Sequence, residues 1–499
     1  MAANVLIRKQ KIRVRTSDEQ LALQMRKLFN DTLQYDLKSM IERIFDRNAP
    51  SNSYINIDKL SIDLGTLSAN NFEQEFIKQA ESQLVNELQK QLWQYMEVVY
   101  SSDVQDHDFY NSKNSDAPFL GVNSVGEQEM TAIIYFLEKG IYPWWFPKNE
   151  HKTPTEILDS LTEVGSENLL LKMIGIRKTK SVEIINRIIV RLFMYLPAIK
   201  YEWIISRLAE QYTYTALIEN AEAVIKNIEL LKSIFSLPER EIYKHLFRFL
   251  ILNTDLATEN FMIHFFKKIM ADEMLSIDTI KNNQRVNTRP DTEIENIISN
   301  IIQHNGIESK KNSSGQPKEE GLKISKTNGL EPDEAIYINN AGLLLLHPFL
   351  QYLFSDSGLL ADSNQFISIT AQHKAAVLLY FLQSGRVDYK EWEMPLNKLL
   401  CGMGYQEVLP DNILLSDSDK QNCNNLLKAV VDHWRALKSA SIEALRNTFL
   451  LREGKISYKE THWLIQVERT GTDVLLERLP WGYSTVKLPW LNQIILTEW

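Results

Sequence analysis

The sequence predicts a mainly α-helical protein with an N-terminal α+β unit in strand-helix-strand-helix order, a helical middle, and a C-terminal α+β region ending in a β-hairpin. Three observations carry that expectation. Over about 129–280, Leu, Ile and Phe recur three and four residues apart, as in VEIINRIIVRLFMYL and IYKHLFRFLI, the period that gathers side chains on one helix face. Period-two alternation is confined to the two ends, in QKIRVRT and INIDKLSIDLGTL near the start and in HWLIQVERT, DVLLERL and STVKLPW near the finish. Between Phe266 and Tyr337 there is no aromatic residue, and 281–335 is polar and charged, so it cannot offset its own ordering entropy. The division that follows is 1–100, 125–280, a flexible linker at 281–335 holding one short helix at 291–304, and 336–499.

The elements follow in order. QKIRVRT reads as a strand, and SDEQ supplies a cap and early acidic groups for a helix whose apolar positions run Leu21, Met25, Leu28, Leu33, Leu37, Ile41 and Ile44. In INIDKLSIDLGTL the alternation slips at Asp58 and Lys59, as at a β-bulge, and Gly65 then ends it. Phe72, Phe76, Ala80, Leu84, Leu88 and Leu92 recur every four residues along the next helix. After the helical block and the linker, AGLLLLHPFLQYLF reads as helix, with a boundary at His347 because Pro348 disfavours helical backbone in the residue before it. TGTD, at Thr470–Asp473, is placed for a hairpin turn between two closing strands. One internal echo also stands out: Tyr135-Phe136-Leu137-x-x-Gly140 matches Tyr380-Phe381-Leu382-x-x-Gly385. Each reads as a helix with a Gly C-cap, and a tryptophan follows each, Trp144 and Trp392.

Composition narrows function. The 499 residues are 44% hydrophobic, enough for more than one core, and the net charge of −9 disfavours non-specific attraction to nucleic acid or anionic lipid. Two cysteines, Cys401 and Cys423, make no disulfide framework, and no CxxC or Cys/His cluster marks a zinc site, so a reducing compartment is expected. No signal-peptide core precedes the first charges, and no window reaches the roughly 20 apolar residues of a membrane helix. Neither GxxxxGK[ST] nor GxGxxG nor GxSxG nor HExxH occurs. Asp58 and Asp63 are five apart on a strand and face opposite ways, which suits solvated carboxylates better than an acid/base pair. His264 and His433 sit alone on apolar helical stretches and read as core histidines. Two aromatic clusters, YPWWFP with Trp144 and Trp145 and LPWGYSTVKLPW with Trp481 and Trp490, are candidate protein-interaction sites or core anchors. No enzyme, metal, cofactor or small-molecule substrate is expected.

Several strings, in order, carry a resemblance: INIDKLSIDLGTLSANNFEQEFIKQAESQL, YFLEKGIYPWW, NNAGLLLLHPFLQYLFSDSGLL, HKAAVLLYFLQSG, EMPLNKLLCGM and GYSTVKLPWLNQIILTEW. Together they resemble the tape measure proteins of contractile injection systems, the phage-tail-like particles of the antifeeding-prophage-like kind. The resemblance spans both ends and skips mainly the helical middle and the linker. It implies a structural and assembly role. A chain in the lumen of the inner tube would help set tube length and touch inner-tube, baseplate or cap proteins, from the cytoplasm during assembly to the assembled particle. It supplies no active site, and it makes Asp63, Gly65, His347, Pro348 and Asn397 structural-motif residues. The sequence departs from a plain ruler in having no long uninterrupted heptad helix and in having globular-looking ends. Two modes stay open, unfolding into the tube or acting as a compact scaffold at the baseplate or tube end. The alternative is a helical scaffold or chaperone-like adaptor that binds a partner peptide.

Overall fold

A computed structural model describes residues 7, 10–16, 18–29, 34–48, 54–57, 60–68, 71–101, 120–123, 125–146, 152–211, 215–253, 261–275, 279–280, 335–437 and 440–499. The chain is mainly helical, and it divides into two compact units, Met1–Thr131 and Ala132–Trp499. The expected linker and its short helix, at 281–335, lie almost wholly outside the described residues, as do Asp58 and the expected bulge beside it.

In the first unit, α1 (Glu19–Leu28) starts at Asp18, whose carboxylate accepts from the backbone N–H groups of Gln20 and Leu21. α2 (Gln34–Asn48) is a separate helix, so the stripe expected to form one helix is divided between two. It packs on α3 (Phe72–Ser101) through Leu37, Met40 and Ile44 against Phe76, Ala80, Leu84 and Leu88, the four-residue repeat read from the sequence. Phe29 meets Phe72 and Phe76 edge-on at 5.9 and 5.1 Å. QKIRVRT joins no ladder: residues 10–16 are unpaired, with Ile12 and Val14 41% and 43% exposed. β1 (Tyr54–Ile57) instead pairs antiparallel with β2 (Leu120–Asn123), a strand with no alternation long enough to announce it. Residues 60–64 lie outside any strand.

The second unit begins within α4 (Val125–Lys139) and stacks α5 (Pro154–Ser160), α6 (Glu163–Arg177), α7 (Val182–Tyr195), α8 (Tyr201–Glu210), α9 (Thr215–Lys226), α10 (Ile228–Phe235), α11 (Glu239–Leu252) and α12 (Phe261–Asp272). Thr153 and Glu156 form a capping box on α5, with Pro154 in its first turn. α11 lies at the centre of the stack and buries Ile242, Tyr243, Leu246, Phe247, Phe249 and Leu250.

β3 (Ala335–Ile338) opens the remainder. A 3-10 helix (Ala341–Leu346) runs straight into α13 (His347–Asp356), so His347 does mark a boundary, but a helix-to-helix one with helical backbone at φ −51, ψ −35. Then come α14 (Ile369–Ser384), α15 (Pro395–Leu400), α16 (Asp417–His433) and α17 (Ile442–Leu445). The closing strands β4 (Gly454–Lys459), β5 (His462–Val467), β6 (Thr485–Val486) and β7 (Ile495–Glu498) complete a sheet of order β3-β4-β5-β7-β6, antiparallel except for β5 with β7. DVLLERL is a 3-10 helix rather than a strand. Thr470 and Asp473 form a capping box at its start, so TGTD begins a helix where a hairpin turn was expected. The hairpin turn falls earlier, at Glu460 and Thr461 between β4 and β5.

Candidate functional site: a buried ionic and amide centre

Arg191 lies on α7 among Ile188, Ile189, Leu192 and Phe193, and its side chain is 0% exposed. A guanidinium buried there must satisfy every donor within the protein. It does. Nε donates to the Glu391 carboxylate at 3.1 and 3.2 Å, and Nη2 donates to Glu391 Oε1 at 2.8 Å and to the Gln406 carbonyl at 2.6 Å. Nη1 donates to the carbonyls of Leu137 and Glu138, at the C-terminus of α4, at 3.0 and 3.2 Å. Lys398, equally buried on α15, spends its three protons on Glu391 Oε1 at 2.8 Å, Glu407 O at 2.6 Å and Tyr405 O at 3.3 Å.

Two cations thus face one carboxylate, and the excess charge rests on five carbonyl oxygens, two of them at the negative end of a helix dipole. Burial pushes the Glu391 carboxyl up, but Lys398 and Arg191 outweigh it and hold it below its ordinary range. Burial pulls the Lys398 ammonium down to about 8, against the opposing pull of Glu391.

A second polar cluster lies among the motif strings of the C-terminal region. Asn340 Nδ2 donates to Gln383 Oε1 and to Asn397 Oδ1, both at 2.8 Å, and Asn397 Nδ2 donates to Gln383 Oε1 at 3.3 Å. The three are 0%, 2% and 0% exposed, which ties NNAG, YFLQSG and LNKLLCGM into one network. Gly342 fits because a Cβ there would stand 1.5 Å from the Phe449 carbonyl oxygen. His347 Nε2 donates to the Gly482 carbonyl at 3.0 Å, which fixes its neutral tautomer, and burial lowers the pKa of the ring.

The YFLxxG echo has the same geometry at both sites. Gly140 and Gly385 each have φ +73, and each donates its N–H to the phenylalanine carbonyl four residues back at 2.7 Å. Each stands against a buried guanidinium. Arg191 caps the first helix, and Arg446 donates to Leu382 O at 3.1 Å and Phe381 O at 3.3 Å at the end of the second. Trp392, which follows the second string in sequence, packs at the first, meeting Phe136, Tyr142 and Tyr195 at ring distances of 5.9, 5.8 and 6.3 Å.

The other sequence candidates separate by exposure. Trp490 is a core anchor, 6% exposed, with Nε1 donating to Leu400 O at 2.8 Å and its ring against Phe354 and Phe366. Trp481 is half-buried and donates to Leu345 O at 2.8 Å. Those bonds fold LPWGYSTVKLPW back on the motif helices and leave Trp490 no face for a partner. Trp145 is half-buried, whereas Trp144 is 36% exposed and reaches the surface. Asp63 accepts from the Gly65 N–H at 2.9 Å, with Gly65 at φ +62, so the pair makes a tight turn. Pro348 sits in the first turn of α13. His264 and His433 are exposed rather than core, because they fall on the solvent sides of α12 and α16. Cys401 and Cys423 are buried free thiols.

Spacing could not pair Arg191 with Glu391, 200 residues away. One signal was present: an arginine inside IIVRLFMY whose chain neighbours and i−3 and i+3 positions, Ile188 and Met194, are apolar, with only Arg187 charged at i−4.

Among the described residues, no helix is long and apolar enough to cross a membrane. A family model described as contractile injection system tape measure protein matches residues 4–499. No curated protein and no solved structure gives a significant match.

Proposed function

The chain belongs to the contractile injection system tape measure protein family, a structural and assembly component of the particle, and on that premise we propose that it works in its compact form, as a scaffold for tube assembly rather than as an extended ruler. The supporting observation is the buried Arg191–Glu391–Lys398 centre. It joins segments 200 residues apart in sequence, and threading the chain along a tube would pull it apart. Unfolding a domain of this kind costs about 5–15 kcal/mol, which tube contacts would have to supply. The described helices of the second unit also reach at most the 17 residues of α16, roughly 25 Å of helix, too short for a rod.

On this reading the partners are inner-tube, baseplate or cap proteins, met in the cytoplasm during assembly and kept in the particle. Of the four candidate tryptophans, Trp144 is the one at the surface and would be the contact. The chain carries no catalytic step and takes no cofactor for its assembly role. Hydrogen exchange in purified particles tests the proposal. Amides of α7 and α15 should stay as protected as in the free protein, and loss of that protection on assembly would mean that the chain opens.

A further inference from the structure

α11 and the end of α12 bring together three groups that the buried centre does not use. Glu241 and His245 stand four residues apart on α11, hence on one face, and Glu273 directly follows α12. One ligand atom from each, a carboxylate oxygen of either glutamate and a ring nitrogen of His245, lies within 4.8 Å of the others. His245 is 5% exposed, with Nε2 2.7 Å from Glu273 Oε1 and Nδ1 3.7 Å from Asp272 Oδ2. Asp272 is itself held by Arg248 at 3.1 Å and Lys268 at 3.0 Å, so its charge is already compensated. Without an ion the Nε2–H donates to Glu273; an ion would take the place of that proton, with Asp272 on the Nδ1 side to hold the ring proton there.

We propose that Glu241, His245 and Glu273 form a binding site for one divalent transition-metal ion, with Zn2+ the best fit. One imidazole nitrogen and two carboxylate oxygens, with water as fourth ligand, is a donor set Zn2+ accepts, whereas Ca2+ and Mg2+ select oxygen alone. Bonds of about 2.0–2.2 Å in a tetrahedron hold ligand atoms roughly 3.3 Å apart. Glu273 must therefore back away slightly from His245 while Glu241 closes in, and both can do so because their side chains are 31% and 21% exposed. The competitors for Glu241 are Lys244 and Arg240, and Arg240 keeps a second carboxylate partner in Asp411. An ion here would fasten the end of α12 to the central helix of the stack. The inference stands on these residues alone, independent of the assembly role.

The test uses the full-length chain, stripped with a chelator, dialysed, and titrated with ZnCl2 by calorimetry and with CoCl2 by visible absorption. One ion per chain, the d–d bands of four-coordinate Co2+, and a rise in Tm with Zn2+ are expected. Glu241→Gln and Glu273→Gln should each weaken Zn2+ binding tenfold or more, and His245→Gln should abolish the Co2+ bands. A surface control, Glu443→Gln, should leave all three readings unchanged. Should His245→Gln fail to fold, the two glutamine variants decide. Wild-type affinity in both, or no binding to the wild-type chain, would overturn the site.

Discussion

At Gly140 and Gly385 two constraints coincide. Left-handed backbone costs a residue with a Cβ about 1–2 kcal/mol, and here that Cβ would stand 2.5 Å from Arg191 Nη2 or 2.8 Å from Arg446 Nη1. Gly358 has the first constraint without the second, at φ +67 with nothing within 4 Å. Gly140→Ala and Gly385→Ala should therefore destabilise by about 2–4 kcal/mol and Gly358→Ala by about 1, read from urea unfolding midpoints. Equal losses at all three would mean that the guanidinium contacts do not reserve these positions. His347 gives a pH signature. Its pKa is lowered by burial in the folded state, so the unfolded chain binds the proton more readily. Stability from this group is full above the ordinary histidine value, about 6.5, and falls as pH drops through the folded pKa. His347→Gln should flatten the loss of Tm between pH 7 and 5, and an unchanged slope would remove His347 as its source. These residues differ in how far the sequence reveals them. A YFLxxG string that occurs twice announces its glycines, but nothing local shows which side chain will close on them.

Among the elements, legibility follows the range of the contact that decides the structure. The α3 stripe of Phe76, Ala80, Leu84 and Leu88 is visible because the helix period alone sets it. DVLLERL misleads because its alternation is outweighed by a four-residue capping box, Thr470 with Asp473. QKIRVRT alternates yet finds no partner strand, and β1 pairs with one more than 60 residues away. The joint between α7, the end of α4 and α15 is the least legible, since its ions converge from three segments. Glu391→Gln would leave Arg191 and Lys398 buried without a counter-charge, and should cost about 3–5 kcal/mol. Replacing all three with apolar residues of similar volume should cost far less than that single change. Urea unfolding of both variants checks this, and a mild Glu391→Gln would show the triad to be energetically idle.

For the whole molecule the question is which state works. A compact scaffold does not measure length by its contour. Deleting 308–328, within the polar stretch, should then leave tube length at the wild-type value in electron micrographs, and tubes shortened in proportion to the deletion would favour a ruler. The family itself was legible in part because four of the six strings that carry the resemblance fold into the C-terminal core: NNAG, YFLQSG and LNKLLCGM share the Asn340–Gln383–Asn397 network, and the closing tryptophans bond to Leu345 and Leu400. The proposed compact mode was not legible, because the contact that supports it joins ions that meet only in the folded chain.

The most direct test measures a distance inside the assembled particle. Val182 and Leu414 are 52% and 87% exposed, while both native cysteines are 0% exposed, with the Cys423 thiol pushed up to about 12 by burial. Spin labels on Val182→Cys and Leu414→Cys will therefore react selectively. The compact account predicts the same label-to-label distance in the free protein and in purified particles. A chain drawn out along the tube would separate the labels by roughly 350 Å if helical, and more if extended, so loss of the free-protein distance on assembly would contradict the account.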